Sequence, residues 1–455
     1  MTHSSATPSV SPASSAAEAA LYRKVDWRLL PYLFLLYVVA YLDRVNVSFA
    51  AQGLSRDLSF SSSVFGLGAG IFFAGYVLCE VPSNLILRRV GARLWIARIM
   101  ITWGLAACSL SLVRTPWSFH ALRFLLGVAE AGFLPGIIYY LTLWYPPQRR
   151  ARAVALFMAA TPVAGLVGAP LSGLLLDLHG LHGLSGWQWL FVLEGVPAVL
   201  LGVTVLRYLP NGPADARWLL PAERAAIANG LTGGAGRAGR AGRAGLDGRD
   251  GRDGRDAPAP GALAQPLGNT LAALAKSPQV WLLSGAYFAL CVGMYGLVMW
   301  MPTLIGEVLG AASTPLRVGL LSAVPYLGGA VGMVAIGRHS DATGERRWHT
   351  AGPLFISAGG FAASLLTPPG LHGPWWSLCC YTVATIGLWG LLGPFWTIPT
   401  GLLTGAAAAG GVALINSIGN TGGFVGPTLV GLVRDATGSH TIGFLAIAVI
   451  MEVVR

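Results

Sequence analysis

Two stretches far apart in the chain, GLVGAPLSGLLLDLHG at Gly165–Gly180 and GGFVGPTLVGLVRDATG at Gly422–Gly438, read as copies of one pattern. Pro170 answers to Pro427, Gly173 to Gly431, Asp177 to Asp435 and Gly180 to Gly438, with one residue of slippage. A second pair repeats in the same way: NLILRRVGAR at Asn84–Arg93 and GRHSDATGER at Gly337–Arg346. The copies lie in or beside apolar runs of about 20 residues, the length that crosses about 30 Å of hydrocarbon. Parallel repeats of several such spans put a two-fold axis along the membrane normal and a substrate site near the midplane between the repeats.

Outward from these stretches, twelve apolar runs follow one another at about 29–50, 63–87, 95–113, 117–143, 153–177, 188–209, 280–305, 318–337, 351–367, 376–401, 405–433 and 440–455. They are continuously apolar rather than alternating, which indicates helices and not barrel strands. The predicted fold class is an all-α membrane protein, with twelve transmembrane helices in two pseudo-symmetric six-helix bundles. Composition agrees: the chain is 54% hydrophobic and only 11% charged, against roughly 25% charged for a soluble domain. The expected organisation is a disordered tail at 1–28, a first bundle at 29–209, a low-complexity linker at 210–279 and a second bundle at 280–455. The linker contains GRAGRAGRAGLDGRDGRDGRD, a composition that stays flexible and solvated. The last run is short and carries Glu452, so it reads as a thin twelfth span or as the end of a shortened chain.

A net charge of +11 raises nucleic acid as a partner, and its placement argues against that. Arg23, Lys24, Arg28, Arg88, Arg89, Arg93, Arg149, Arg150, Arg152, Arg338, Arg346 and Arg347 fall on one side of the predicted membrane. Only Arg56, Arg114, Arg317 and Arg434 fall on the other. The bias places both termini in the cytoplasm. The five cysteines all sit in apolar spans, so no disulfide framework is implied. The first residues lack a charged start followed by an apolar core and do not read as a cleavable signal.

Ionisable side chains at membrane depth are costly and usually mark a pathway. Asp43, Arg44, Glu80, Arg123, Glu130 and Glu194 are the candidates, and all lie in the first half. Arg123 and Glu130 are seven residues apart, which returns to nearly the same helix face about 10.5 Å along the axis. Together they form either a cation and acid lining a pathway, with Gly127 leaving space between them, or packing charges satisfied by neighbours. Asp43 and Arg44 point about 100° apart. This aims Arg44 at the cavity with Asp43 at its edge, unless both mark a helix end at the interface. Glu80, near a span end before Pro82, and Glu194, mid-span, read as structural first and functional second, and the glycines of GLVGAP as sites of close helix approach. No phosphate loop, metal cluster or nucleophile constellation stands out. The sequence therefore predicts no catalytic residue, no metal, no cofactor and no enzyme.

The loop GRHSDATGERR resembles the signature of major facilitator superfamily transporters, in which Gly, Asp and basic residues latch helix ends together. Gly337, Asp341, Gly344 and Arg346 match it as a cytoplasmic gate, while the first copy departs from it with Arg88 in place of the Asp. YLDRVNVSFA at Tyr41–Ala50, the Arg123 to Glu130 spacing, LWYPPQRRARA and INSIGNTGGFVGP together resemble the anion:cation symporter family within that superfamily. That resemblance implies import of a small organic carboxylate with protons, by alternating access of the two bundles in a bacterial inner membrane. Sugar acids, tartrate and aromatic acids are the substrates it brings. It implies proton uptake at Asp43 and Glu130, and carboxylate binding or steering at Arg44 and Arg123. Substrate contacts would come from Tyr41, Tyr76, Asn416 and Asn420, with Trp389 a candidate for stacking. Where sugar-acid members carry an amide in the fifth span, this chain has only Thr161. The expected partners are the carboxylate, protons and the lipid bilayer, for a monomer without nucleic acid. An organic-anion exchanger or facilitator without proton coupling is the alternative, and a membrane sensor on a transporter scaffold a further one.

Overall fold

In a computed structural model, residues 12–231, 276–366, 373–402 and 405–453 are described. The first half contains α1 (Pro12–Leu58), α2 (Ser62–Val90), α3 (Ala92–Ser109), α4 (Pro116–Glu130), α5 (Phe133–Thr142), α6 (Pro147–Met158), α7 (Ala160–Leu176) and α8 (Gly186–Tyr208). The second contains α9 (Pro278–Leu309), α10 (Pro315–Thr343), α11 (Arg347–Ala363), α12 (Gly373–Gly390), α13 (Leu392–Leu402), α14 (Gly405–Asn420), α15 (Gly422–Thr437) and α16 (His440–Val453). Among the described residues nine helical segments are long and apolar enough to span a membrane. The pair α4 and α5, the pair α6 and α7, and the pair α12 and α13 each fill one of them. The remaining three of the twelve predicted positions are taken by α11, by α14 with α15, and by α16. The starts of α2 and α4 carry side-chain caps: Ser61 Oγ accepts from Val64 N, and Thr115 forms a capping box with Ser118, supplying acceptors for otherwise orphaned N–H groups.

Four runs that read as continuous in the sequence are interrupted: at Ala131–Gly132, at Ala159, at Leu391 and at Thr421. The breaks fall in the fourth and fifth spans and in their repeat equivalents, the tenth and eleventh. Proline accounts for three of them. Pro135, Pro162 and Pro394 have no N–H for the carbonyls of Ala131, Met158 and Gly390, four residues earlier. At the first break Gly132 adopts φ +86°, and a Cβ there would sit 2.7 Å from Ser83 Cβ. Glycine is therefore required by both backbone and space.

The halves meet through two equivalent contacts, α2 on α15 and α7 on α10, as a two-fold relation between six-span repeats demands. Small residues bring the backbones together: a Cβ on Gly319 would lie 3.1 Å from Pro170 Cα, and one on Gly66 would lie 3.3 Å from Gly431 Cα. These contacts lie toward one face, here called distal, which holds Ser59–Ser61, Ser313 and Gly438. There Asp435 accepts hydrogen bonds from the backbone N–H groups of Ser62 and Ser63 at 3.0 and 2.8 Å. The opposite, arginine-rich face is called the basic face.

Residues 12–28 depart from the expected disordered tail and continue α1 as helix. Leu21, Tyr22 and Val25 are buried, and Lys24 pairs with Glu223 at 2.7 Å. Glu223 belongs to a helix over 221–231, at the start of the expected linker. Trp218 stacks on Trp144 with ring centroids 5.6 Å apart, so residues 210–231 are packed against the first bundle. The glycine–arginine repeat lies outside the described residues.

Candidate functional site

Arg44, in the second half of α1, meets Glu130, the last residue of α4. The break at Ala131–Gly132 ends α4 at the point where Glu130 faces α1. Arg44 Nη2 donates to Glu130 Oε1 in a buried ion pair, and Nη1 reaches Tyr295 Oη of α9, in the other half, at 3.5 Å. The guanidinium lies over the rings of Tyr76 and Phe72, 5.3 and 5.6 Å from their centroids. Glu130 is 1% exposed and Arg44 8%.

Asp43 turns away from this pair into the first bundle. It accepts from Trp103 Nε1 of α3 and from Asn46 Nδ2, the latter at 3.0 Å. The expected position at the cavity edge is thus replaced by a buried one, because Trp103 supplies a donor behind α1. Arg123 lies fully buried in α4, where its Nε and Nη2 donate to the carbonyls of Gly68 and Ala69 at 3.1 and 3.4 Å. Its guanidinium sits over Phe72, 5.0 Å from the centroid. The space left by Gly127 is filled by α2: a Cβ there would lie 3.0 Å from Tyr76 N. Arg123 and Gly127 therefore bind α4 to α2, and Glu130 takes Arg44 as its cation.

From the second half, Asn416 Nδ2 donates to Glu80 Oε1 at 3.0 Å and bridges α14 to α2. Asn420 is partly buried at the end of α14. Trp389 of α12 is buried edge-on to Tyr41 and Tyr326, with centroids 6.4 and 6.1 Å apart. Glu194 accepts from Ser172 Oγ at 2.9 Å. Among the described residues, the buried polar atoms without a partner around Arg44 include Arg44 Nε, Tyr41 Oη, Glu80 Oε2 and Trp389 Nε1. Each costs about 1–3 kcal/mol if left so, and their concentration where the halves meet fits a place that receives a polar guest. Three of the four can donate, which suits a carboxylate, and the guanidinium fork suits it best.

At the basic face, Asp341 and Arg346 pair at 2.7 Å, and Arg346 also donates to Ser340 Oγ at 2.9 Å. Gly344, at φ +68°, ends α10, and Gly337 lies within α10 with open space beside it. Glu345 accepts from Trp348 N and His349 N at the start of α11, donors that hold its carboxyl below the ordinary glutamate range. The first copy of this loop is fixed differently. Arg93 N donates to Asn211 Oδ1 at 3.2 Å, and Arg88 lies over the Tyr139 ring at 5.3 Å.

Sequence reasoning did not identify Trp103, Asn46, Tyr295 or Asn211. Asn46 had a usable signal in its i+3 spacing from Asp43, whereas the others are brought in by tertiary packing. Among the described residues no group of His, Cys, Asp and Glu is arranged to hold a metal ion.

The Major Facilitator Superfamily model matches residues 33–427. A protein of Agrobacterium vitis named "Putative tartrate transporter" is 45% identical over 431 residues, covering 95% of this chain and 89% of the relative. The "Putative metabolite transport protein NicT" of Pseudomonas putida is 42% identical over 421 residues, covering 92% and 89%. Among solved structures, the inward-facing, unoccupied form of a bacterial homolog of the human lysosomal transporter Spinster has a TM-score of 0.73 at 18% identity. It covers 93% of this chain and 94% of its own, a likeness of fold. The paired six-span repeats and these matches together place the chain in the Major Facilitator Superfamily, as a membrane transporter and not an enzyme.

Proposed function

We propose that this transporter imports a small organic carboxylate, of the sugar-acid, tartrate or aromatic-acid kind, together with protons. The observation that carries the reading is the buried Arg44–Glu130 ion pair where the two halves meet. Glu130 and a substrate carboxylate are rivals for one guanidinium. A proton on Glu130 weakens its hold on Arg44 and frees the fork for the guest, so proton and anion enter as a neutral pair. Separately, either one would leave an uncompensated charge in a low-dielectric site.

Asp43 is the second proton acceptor in this scheme, set behind α1 and one residue from Arg44. Arg123 steers the anion through its charge while its hydrogen bonds hold α2 to α4. Tyr41, Tyr76 and Trp389 wall the guest, and Asn416 with Asn420 reaches it from the second half. The loop of Gly337, Asp341, Gly344 and Arg346 acts as the gate on the basic face. By the positive-inside bias that face is cytoplasmic, with both termini, in a bacterial inner membrane. The protein works as a monomer, by rocking of the halves about the α2–α15 and α7–α10 contacts. Relatives named for tartrate and metabolite transport support the substrate class.

The test is uptake of a panel of labelled tartrate, sugar acids and aromatic acids into proteoliposomes, with and without an inward proton gradient. Gradient-driven accumulation of one acid is the expected result. Exchange that ignores the gradient would replace symport with the exchanger reading.

A further inference from the structure

A cavity of about 230 Å³ opens on the basic face between the start of α1 and the start of α6, remote from Arg44. Its polar walls are Tyr22, Asp26, Tyr145, Gln148, Arg149 and Arg152, and Leu156 stands at its apolar rim. Leu156 is 46% exposed, and Trp27, one residue past Asp26, is 81% exposed. An exposed tryptophan beside a loop of arginines marks the level of the membrane interface.

The cavity is built rather than incidental. Tyr145 Oη donates to Asp26 Oδ1 at 2.8 Å, which fixes the acidic wall. Arg149 lies over the Tyr22 ring at 4.6 Å, with Nη2 3.4 Å from Glu18 Oε1. Tyr22 is 3% exposed, and its ring, under Arg149, forms part of the cavity wall. Arg152 is exposed at the mouth. Among the lining residues, Arg149 and Arg152 against Asp26, two cations and one anion, leave one positive charge.

We propose that this cavity is a site for the headgroup of an anionic phospholipid. The phosphodiester would accept from the guanidinium groups of Arg149 and Arg152 and from the side-chain amide of Gln148, the glycerol hydroxyls of the headgroup would turn to Asp26, and an acyl chain would run down past Leu156. One phosphodiester charge balances the one positive charge of the walls, which favours an anionic lipid over a zwitterionic one. Basic pockets at the interface are suited to such headgroups. The lipid would tie the first turns of α1 to α6, so it stabilises the folded protein in proportion to its occupancy.

The experiment is thermal unfolding of delipidated full-length protein in detergent, titrated in parallel with phosphatidylglycerol, phosphatidylethanolamine and inorganic phosphate. Phosphatidylglycerol is expected to raise the unfolding temperature saturably, with little response to the other two. Gln148→Ala removes an amide donor from the exposed wall and should weaken the apparent lipid affinity about fivefold. Arg152→Gln should weaken it roughly fivefold. Both variants should match the unmodified protein in lipid-free detergent, which separates a binding defect from a folding one. An equal response to phosphatidylethanolamine, or full responses from both variants, would overturn the site. A matching response to inorganic phosphate would make it a free-anion site and overturn the lipid assignment.

Discussion

The two halves share a topology and even the positions of their helix breaks, yet they divide the chemistry unequally. The first half buries Asp43, Arg44, Glu80, Arg123, Glu130 and Glu194. At the same level the second half offers Tyr295, Trp389 and Asn416, which are neutral. Charge that must be solvated by the protein itself is best held by one rigid body, because a bond between two moving bodies has to be remade in every cycle. The Arg44–Glu130 pair and the Asp43–Trp103 bond both lie inside the first half, and the second half touches them only through longer or neutral contacts. Under the proposed function, the first half binds and couples, and the second closes over the guest.

The sharpest way to break this comparison is to remove the shared cation. Arg44→Gln leaves Glu130 buried without its cation, a change that costs about 3–5 kcal/mol. Proteoliposome uptake should fall at least about 100-fold, the rate equivalent of about 2.7 kcal/mol. Arg44→Lys should recover less than a tenth of the activity, since a lysine cannot present the two-pronged fork. Near-normal transport by either variant would remove Arg44 from the site.

Next in size is Arg123→Gln, which deletes the donors to Gly68 and Ala69. Loss of about 2–4 kcal/mol is expected for two charge-assisted bonds within the bundle, read as a lower unfolding temperature in detergent. If stability holds and only affinity for the acid drops, the residue serves the substrate more than the α2–α4 contact. Changes in the second half should be milder. Asn416→Ala should raise KM about five- to tenfold with a smaller effect on kcat, as expected for one lost hydrogen bond of about 1–1.5 kcal/mol. A loss as deep as that of Arg44→Gln would contradict the division of labour. The smallest effect belongs to the first repeat loop. Asn211→Ala should cost about 0.5–1.5 kcal/mol of stability and leave substrate selectivity unchanged in a competition assay.

Much of the fold was legible because hydrophobic length is a coarse signal that survives local irregularity: every apolar run read from the sequence has helix in it. The breaks were harder, since apolar content stays high through them. Pro135, Pro162 and Pro394 mark three of the four, and only the four-residue reach of a missing N–H reveals where. In the site, the 100° divergence of Asp43 and Arg44 was readable from helix geometry, but not the destination of each side chain. Trp103 lies 60 residues from Asp43, and nothing local announces the pairing. Likewise Arg123 and Glu130 share a stripe by spacing, yet α2 approaches so closely at Gly127 that Arg123 is taken up by its carbonyls. The helical start of α1 was missed because MTHSSATPSVSPASSAAEAA is polar and small, and the side chains that fix residues 12–28, Leu21, Tyr22 and Val25, come just after it.

The measurement that tests the central claim most directly compares wild type and Glu130→Gln in the same proteoliposomes. Each is assayed once for accumulation driven by a proton gradient and once for exchange of labelled against unlabelled acid at equal pH. With Arg44 permanently free of its rival, the variant should exchange substrate at a rate within about tenfold of wild type and fail to accumulate it. A variant that still accumulates substrate under the gradient as wild type does would contradict the claim that Glu130 and the guest compete for Arg44.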